Sequence, residues 1–594
     1  VRFRSGKPEN MRGYETKVST AFDGSARDLI TYRSINNTKR AVFGTSDKLY
    51  AHNGDTITDI TPIVTAVTLA NVFGTSSGST RVCCSDAGHG RAVGDYVYFT
   101  STATFNAVSL STNVYPVTSV VNSGVFTISV TDAANATASD VGSATFNYLL
   151  PTGNSIAVAG LGYGAAAFQA TVCASQTRAW NEPSSADASD IVFDISQWSL
   201  DNWGDDVIAN RSGGNIYYFD SDASTVPIRA TSITTSPISV NSIVISPNDR
   251  HLICLGANSY SPTATVSGTF DPMLVRWSDQ DDRTNWVPSL TTTSGEVVLT
   301  DGTKIIGGLR SRNAVHIWTD NAMWTMQFVG PPFTFRFTPA GTNCGMIAQH
   351  AAVDYNGISY WMGYDNFYRY DGQVRVLDCT VRKFIFDRLS TKYKAKVYTG
   401  VNSEFKEIIW LYASDESNVT ECDSYVIFSP ENNYWTYGTG VFTTFEDKEV
   451  FGNTITTGTS INDDGDSTGN NKLFNNEPAD YYTENNRTIT SFVESADFDI
   501  EDGNQILFMN RLIPDFQLKK GSNFDGEITA KIITKKYPES SDEITKEFVL
   551  NTNTDKVNFR ARGRQAKIRV SCASNNTNWQ WGSVRLGFQP DGER

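Results

Sequence analysis

One pattern recurs along most of the chain: a short apolar or aromatic strand, a tight turn containing Gly, Asp or Asn, and a second aromatic strand that ends in a polar turn. Each strand alternates apolar and polar residues, as expected when one face is buried. The pattern occurs in seven places: residues 40–55, 206–222, 251–257 with 273–282, 313–328, 357–372, 407–428 and 450–477. Because one face of each hairpin can stack on the next, these repeats constrain the fold more than any single motif.

The spacing of the hairpins is close to the length of a propeller blade. The turn near Thr319 is followed by one near Gly363, 44 residues later, and by one near Ser414, 51 residues further on. Four short strands with their turns need roughly 40–50 residues. We therefore predict an all-β fold in which residues 1–62 and 151–490 form an irregular β-propeller of six or seven blades.

Two regions fall outside this repeat. Residues 63–150 are rich in Ser and Thr and contain a hairpin at 115–130, with its turn at Asn122-Ser123-Gly124. We predict that they form a small β-barrel inserted in a surface loop, where insertions cost little stability. Strand-like segments continue after residue 490 without the repeat, so we predict a separate C-terminal β-domain at 491–594.

The composition agrees with a β-protein that is not built to hold nucleic acid. Aromatic residues make up 12% of the chain, mostly Phe and Tyr set among β-forming residues. The chain has 49 Lys and Arg against 64 Asp and Glu, a net charge of −15. A protein that wraps nucleic acid through its phosphates would be basic. The negative net charge is compatible with a protein that lets DNA move past it without adhering.

The eight cysteines are thinly spread and include no C-x-x-C pair. In a large chain this distribution is more typical of buried thiols than of a disulfide framework. We predict that all eight are reduced.

The stretch VRWSDQDDRTNW, residues 275–286, places three carboxylates close together. They could form a metal site or an acid/base pair, or they could form a polar turn at the end of a strand. The Asp box of sialidase-type propellers, S-x-D-x-G-x-x-W, fails here because Gln280 follows Ser278 at the Asp position. We predict that Asp279, Asp281 and Asp282 are turn residues, since a catalytic pair needs one carboxyl in an apolar pocket.

No other motif assembles an active site. NDDGD, residues 462–466, lacks the first acid and the final Glu of a calcium loop, so we predict no metal at Asp463, Asp464 or Asp466. GYGAAA, residues 162–167, fits G-x-G-x-x-A but lies in a β-pattern rather than a βαβ unit. The sequence contains no G-x-x-x-x-G-K-[ST] and no H-E-x-x-H. We predict no enzyme activity and no cofactor.

One basic cluster stands out in this acidic chain, FRARGRQAKIR at 559–569. Arg560, Arg562 and Arg564 recur at period two and would share one face of a strand, with Lys567 and Arg569 extending it. Three interpretations are open: a solvated face, a contact with an acidic patch of a neighbouring subunit, or a contact with DNA.

Eight segments follow one another in an order that is more informative than any of them alone. They are VRFRSGKPENMRGY, KLYAHNGDTITDITP, DNWGDDVIAN, VRWSDQDDRTNW, IWTDNAMWTMQFVGPPFTF, NCGMIAQ, YWMGYDNFYRYDG and WGSVRLGFQPDGER. This succession resembles the tail nozzle (tail tubular) proteins of short-tailed bacteriophages. The resemblance runs from the first residues to the last and is weakest over 63–150.

The resemblance implies a structural protein of the virion tail, assembled in the cytoplasm of the host bacterium. Six copies would form a ring below the portal and adaptor proteins, with tail fibre or needle proteins docked outside. Double-stranded DNA would pass through the ring without sequence-specific binding. The family offers no catalytic residues to carry over and no small-molecule substrate. VRWSDQDDRTNW then resembles a blade strand and its turn.

On this interpretation an acidic passage keeps DNA phosphates from adhering. The cluster from Arg560 to Arg569 is then expected at a contact between subunits or between tail proteins, where arginines pair with carboxylates. Replacing Arg560 and Arg562 with Glu is therefore expected to impair assembly more than it changes DNA affinity.

Two other functions fit a propeller. A secreted glycan-binding or glycan-cleaving protein would use Trp180, Trp198 and Trp203 as sugar platforms and pairs of Asp or Glu as catalysts. An intracellular scaffold propeller is disfavoured because the sequence lacks regular W-D repeats.

Overall fold

Almost all regular structure in this protein, seen in a computed structural model, is β-strand. The structure describes residues 1–54, 56–152, 195–222, 229–263, 268–461, 467–484, 487–500, 503–519, 526–537, 540–541 and 543–592. These residues contain 50 strands, one α-helix (α1, Arg382–Phe386) and one 3-10 helix (Lys394–Lys396). Within the same segments, no helix has the length and apolar character needed to cross a membrane. The all-β prediction is confirmed.

The chain divides into two compact units. Unit 1 comprises residues 1–21, 400–409 and 424–594, and unit 2 comprises residues 22–399 and 410–423. Unit 2 therefore holds most of the repeated hairpins and the inserted region.

Unit 2 contains five successive four-stranded antiparallel sheets, each formed by four strands that are consecutive in the sequence. This is the construction of propeller blades. Their strands are Ala26–Arg33 (β4), Lys39–Thr45 (β5), Leu49–Asn53 (β6), Thr56–Asp59 (β7); Trp198–Trp203 (β16), Asp206–Arg211 (β17), Ile216–Phe219 (β18), Thr231–Ser232 (β19); Val240–Ile245 (β20), Leu252–Asn258 (β21), Phe270–Trp277 (β22), Gly295–Val298 (β23); Ile305–Arg310 (β24), Val315–Thr319 (β25), Ala322–Gly330 (β26), Thr334–Thr342 (β27); Ala352–Tyr355 (β28), Ile358–Met362 (β29), Phe367–Tyr370 (β30) and Val374–Leu377 (β31).

Two further sheets continue the series. The sixth has the same order of four consecutive strands, and the seventh takes its fourth strand from the N-terminal region and adds two short strands. Their strands are Tyr398–Asn402 (β32), Glu407–Tyr412 (β33), Ser424–Ser429 (β34), Tyr434–Thr439 (β35); Phe442–Glu446 (β36), Thr454–Ile461 (β37), Ser467–Asn476 (β38), Tyr14–Phe22 (β3), Thr483–Glu484 (β39) and Arg487–Thr488 (β40). The fold is an irregular β-propeller, and each of the seven predicted hairpins supplies the second and third strands of one sheet.

The first strands of successive sheets in unit 2 lie beside one another, β4 with β16, β16 with β20, β20 with β24 and β24 with β28. Buried carboxylates join them. Asp28 accepts a hydrogen bond from the backbone N of Leu200 at 2.7 Å, and Asp201 accepts one from the backbone N of Ile245 at 2.7 Å. Burial raises the pKa of both carboxyls. Polar side chains therefore satisfy backbone groups between neighbouring blades.

The inserted region forms the predicted small barrel. Six of its strands close in the order Tyr96–Phe99 (β10), Val114–Asn122 (β13), Val125–Ser129 (β14), Arg81–Ser85 (β9), Ile63–Thr75 (β8) and Ala138–Leu149 (β15). The turn at 122–124 lies where the sequence predicts it. Its core includes Phe73, Phe99, Phe126 and Phe146, all fully buried. The two other strands of this region, Ala103–Phe105 (β11) and Val108–Leu110 (β12), pair with each other.

The barrel also corrects the prediction of eight reduced cysteines. Cys83 is disulfide-bonded, whereas its neighbour Cys84 is a free thiol in the barrel core. Successive residues of a strand point to opposite faces, so the two vicinal sulfurs have different surroundings. The other free thiols are Cys254, Cys344, Cys379, Cys422 and Cys572; Cys173 lies outside the described residues. Sequence spacing did not reveal the bond because a disulfide depends on proximity in space.

The remaining strands of unit 1 form three sheets. The first 9 residues, which the sequence analysis grouped with the propeller, pair instead with strands of the C-terminal region. The strands are Arg2–Arg4 (β1), Lys7–Glu9 (β2), Trp579–Trp581 (β49), Phe516–Leu518 (β44); Ser491–Glu494 (β41), Phe498–Asp499 (β42), Gln565–Cys572 (β48), Ile528–Lys535 (β45), Glu543–Leu550 (β46); Val557–Gly563 (β47), Leu507–Ile513 (β43) and Arg585–Pro590 (β50). They enclose a common core that includes Leu507, Ile532, Val570 and Trp579.

Candidate functional site

The basic cluster at 559–569 is divided between two sheets. Arg560 and Arg562 lie on β47, whose exposed and buried residues alternate as predicted. The strand ends at Gly563, so Arg564 lies in the turn and not on the predicted face. Its Nη1 donates to the backbone carbonyls of Gly503 and Asn504, both at 2.8 Å. The prediction that all three arginines share one strand face is wrong, because the chain turns to start β48.

Lys567 and Arg569 lie on the outer face of β48, beside an acidic residue of β41. Glu494 contacts the Nζ of Lys567 at 3.1 Å and the Nη1 of Arg569 at 3.4 Å. The guanidinium of Arg569 also lies 3.9 Å from the ring centroid of Phe492. The contact with Glu494 raises the pKa of Lys567. Both cations therefore have an acidic partner within the chain, and Lys567 also lies 3.8 Å from Glu543.

These residues belong to a charged row that crosses four strands. In register, Glu494 of β41 faces Arg569 of β48, which faces Lys531 of β45, which faces Glu547 of β46. Lys531 and Glu547 form an ion pair at 2.8 Å. Opposite charges on neighbouring strands stabilise a sheet modestly. The row has acids at both ends and cations in the middle, so its net charge is zero.

The two strand arginines differ in their surroundings. Arg562 forms an exposed ion pair with Asp591, with 2.7 Å between Nε and Oδ2. Arg560 is exposed, and its side chain has no hydrogen bond or ion pair with any residue that the structure describes. Among the described residues, Arg560 is thus the one predicted site residue whose cationic group has no partner in this chain.

The acidic stretch at 275–286 ends β22 and forms a hydrogen-bonded turn. Asp279 accepts hydrogen bonds from the backbone N of Thr293 at 2.8 Å, from the Thr293 hydroxyl at 2.6 Å and from the backbone N of Gln280 at 3.0 Å. Burial opposes ionisation of Asp279, but these hydrogen bonds outweigh it and lower the pKa of this carboxyl. Asp282 accepts from Thr284, and Trp286 is buried. Asp279, Asp281 and Asp282 are turn residues, as predicted.

Replacing Asp279 with Ala is expected to lower the free energy of unfolding by about 1–3 kcal/mol, because the amide and hydroxyl of Thr293 lose their acceptor. The pKa of Asp279 is lower in the folded chain, so its contribution is present above its unfolded pKa, near 3.9, and is lost as the pH falls through the folded value. Denaturation at pH 7 and pH 3 checks this. The control is Asp132→Ala, since Asp132 is exposed. If the stability lost on replacing Asp279 is larger at pH 3 than at pH 7, the hydrogen-bonding role given to the ionised carboxyl is wrong.

Asp249, His251 and Thr293 form a hydrogen-bonded chain like that of a hydrolase triad. His251 Nδ1 contacts the Asp249 carboxylate, and His251 Nε2 lies 3.0 Å from the Thr293 hydroxyl. The Thr293 hydroxyl, however, donates its hydrogen bond to Asp279 and not to the imidazole, so His251 is not placed to accept the hydroxyl proton. His251 is also fully buried. These three hydrogen-bonded residues hold the turn in place and do not activate a nucleophile.

The tryptophans proposed as sugar platforms do not have the necessary exposure. Trp198 is 1% exposed and Trp203 is 6% exposed, and the Trp198 indole donates to the Thr45 carbonyl at 2.8 Å. Both pack inside blades because tryptophan supplies a large apolar surface there. Trp180, the NDDGD segment and the GYGAAA segment lie outside the described residues. Within the described ranges, no group of three or more His, Cys, Asp or Glu is placed to hold a metal ion.

Two buried charge clusters were missed by the sequence analysis. In unit 1, Arg2 lies between Glu407 and Glu477; in unit 2, Glu421 lies between Arg27 and Lys396. Each cluster joins residues that are distant in the sequence, some by more than 390 positions. No local pattern could have revealed them, since only the folded chain brings these residues together.

Comparison with known proteins gives only distant similarities. No known protein family matches the chain, and no curated protein matches it. Among solved structures, the chain is similar to the phage phi92 endosialidase, with 12% identity, a TM-score of 0.17 and coverage of 69% of this chain and 64% of that one. The chain thus spans less than two thirds of that protein's length.

Two other similar structures show the same weak level of similarity. An exo-beta-1,3-galactanase from Phanerochaete chrysosporium has 7% identity and a TM-score of 0.21, with 66% of this chain and 95% of that chain covered. Apo AztD from Citrobacter koseri has 8% identity and a TM-score of 0.23, with 69% and 94% covered. Similarity this low carries no information about function.

Proposed function

We propose that this chain is a structural protein of a short phage tail, in which six copies form a nozzle ring that conducts double-stranded DNA. The proposal starts from the order of segments that resembles tail nozzle proteins. The structural observation that supports it most is the pairing of the basic cluster within the chain: Lys567 and Arg569 share Glu494, Glu543 lies 3.8 Å from Lys567, and Arg562 pairs with Asp591. No catalytic residue, cofactor or small-molecule substrate is part of this function.

Drag on the moving DNA depends on how many unpaired cations the ring presents to its phosphates. Each Lys or Arg that binds a phosphate adds salt-dependent affinity, so a conducting ring benefits when its cations are already paired. The chain carries a net charge of −15, and its most basic segment forms ion pairs with its own carboxylates. Such a protein repels phosphates at long range instead of retaining them.

The partners and location follow from the same proposal. The ring is assembled in the bacterial cytoplasm and becomes part of the virion tail. It binds adaptor or portal-proximal proteins at one end, and fibre or needle proteins dock on its outside. A propeller with short, protected sheet edges is a suitable rigid unit for such a ring, because head-to-tail contacts close into cyclic assemblies.

Electron microscopy of the purified chain and of virions that contain it tests the function. The expected result is a six-fold ring with an axial channel, located below the adaptor. A chain outside the axial channel, or with a stoichiometry incompatible with a ring, overturns the proposal. Binding or cleavage of glycans by a monomer would favour the secreted-propeller alternative instead.

The variant Arg560→Glu with Arg562→Glu tests the role of the basic cluster. It is expected to reduce ring or tail assembly, while affinity for a DNA duplex changes less than about tenfold across a salt titration, because these side chains serve a protein contact. Lys546→Glu with Arg585→Glu is the matched control, since both residues are exposed cations of the same unit. A large fall in DNA affinity with normal assembly would assign the cluster to the DNA passage.

A further inference from the structure

One strand of the closed barrel, β8, is paired on only one side over most of its length. β8 pairs with β15 along its whole length, from Ile63 opposite Leu149 to Thr75 opposite Ala138. On its other side β8 pairs with β9 only at residues 73–75. Across the part of the chain that the structure describes, no strand pairs with that side of residues 63–71. This segment, here called the open edge, presents unpaired backbone groups over about 30 Å, at roughly 3.3 Å per residue.

The open edge has none of the usual protection of an edge strand. Val67 and Leu69 are half-buried, and Leu69 packs against the barrel core. The other seven residues of the segment are exposed, with Ile63 at 37% and Val64 at 38%. No Asp, Glu, Lys or Arg occurs from Ile60 to Thr80, and no Pro occurs within the open edge. A long, uncharged, β-branched edge is a template for another strand, and natural proteins cover such edges or protect them with charges.

The whole barrel is depleted in charge relative to the chain. Among the 90 residues from 61 to 150, only six are charged, whereas charged residues make up 19% of the full sequence. The six are Arg81, Asp86, Arg91, Asp95, Asp132 and Asp140. Depletion of charge is a property of the cores of protein interfaces.

The charge of the chain indicates which partner fits. Two copies, each with a net charge of −15, repel one another over most of their surfaces. A contact between copies is therefore favoured where acidic residues are fewest, and the open edge lies in a stretch of the chain, 60–80, that has none. A basic partner would gain nothing from this segment, since it offers no carboxylate to pair with.

We propose that the open edge is covered by an extended segment of a second copy of this chain, which adds a strand beside β8. Backbone hydrogen bonds provide the contact, as in other cases of strand addition, and the small exposed side chains of Ala66, Thr68 and Ala70 let the second backbone approach. This inference rests on the proposed ring, because it assigns one of the surfaces through which neighbouring subunits meet.

Adding charge to the open edge tests the proposal. The variant Ala66→Lys with Ala70→Lys places two cations on exposed positions of β8. We expect its apparent dissociation constant for self-association to rise about a hundredfold or more, because unpaired charges in a packed contact strongly oppose binding. The control Thr131→Lys with Ser139→Lys adds the same charge at exposed barrel positions outside the open edge. Analytical ultracentrifugation of the full chain measures assembly, and circular dichroism verifies folding.

A photo-crosslinking residue at position 66 identifies the neighbour. Crosslinks to a second copy support the proposal, whereas crosslinks only to another tail protein, or none in assembled particles, overturn it. If the ring forms normally with both double variants, this inference fails and the proposed nozzle function stands. If the wild-type chain self-associates through the open edge into an assembly that is not a ring, the nozzle function fails and this inference stands.

Discussion

Replacing Arg2 with Met is expected to lower the free energy of unfolding by about 3–5 kcal/mol, because it leaves two buried carboxylates without their cation. The Arg2 guanidinium donates to Glu407 at 3.0 and 2.8 Å and to Glu477 at 2.8 and 2.9 Å. The side chains of all three residues are at most 4% exposed. The ring of Phe405 covers the guanidinium, 3.4 Å from its centroid.

The loss should depend on pH. Burial raises the pKa of Glu477, and the charge of Arg2 only partly offsets this effect. One arginine cannot neutralise two carboxylates, so the folded chain holds a proton on Glu477 to a higher pH than the unfolded chain does. The folded state of the variant, which lacks the cation, favours the protonated carboxyl even more. Its stability should therefore fall as the pH rises from 5 to 7 by more than that of the wild-type chain.

Chemical denaturation at both pH values measures this effect. Lys406→Met is the matched control, because Lys406 forms an ion pair with Glu431 in which both side chains are more than half exposed. Such a surface pair contributes about 0–1 kcal/mol. If Arg2→Met and Lys406→Met lower the free energy of unfolding equally, the buried cluster contributes no more to stability than a surface ion pair.

Replacing Glu421 with Ala is expected to lower the free energy of unfolding by about 3 kcal/mol, because it leaves two cations close together. Glu421 accepts from Arg27 at 2.5 and 2.8 Å and from Lys396 at 2.7 Å. Arg27 and Lys396 are each 6% exposed, whereas Glu421 is 28% exposed, which limits the effect. Burial and the charge of Arg27 lower the pKa of Lys396, so in the variant this amine should lose its proton more readily.

A second substitution separates the charge effect from lost packing. Lys396→Met in the Glu421→Ala background removes one of the two uncompensated cations, and we expect it to restore about 1 kcal/mol or more. Asp281→Asn is the control, since Asp281 forms an exposed pair with Arg250. Lys396→Met alone provides the comparison. If this substitution lowers the free energy of unfolding as much in the Glu421→Ala background as it does in the wild-type chain, repulsion between Arg27 and Lys396 does not explain the instability of Glu421→Ala.

The propeller could be predicted because its signal is local. Each blade needs a hairpin with alternating apolar residues, and a hairpin such as 357–372 encodes that alternation within sixteen consecutive residues. The closed barrel was predictable for the same reason, since the turn at 122–124 has its own side-chain signal, the Asn122 carboxamide accepting from the Gly124 amide at 2.8 Å.

The candidate site was only partly predictable. The alternation of Arg560 and Arg562 on β47 follows from the sequence, but the end of the strand at Gly563 and the pairing of Lys567 with Glu494 do not. Whether a run of cations is free or compensated depends on residues brought in by other strands. The role of the cluster in assembly stays a prediction.

The sequence by itself determined the class of fold, the seven hairpins and the inserted barrel, because strand periodicity and turn chemistry act between near neighbours. Only the tertiary structure decided which charges are buried and paired. Arg2 meets Glu407 across 405 positions, and Arg27 meets Glu421 across 394. It also decided that β8 keeps an open edge, since β9 diverges from it after three residue pairs. Contacts between distant residues produce no periodic pattern in the sequence, because each contact depends on the positions of two strands that are far apart in the chain.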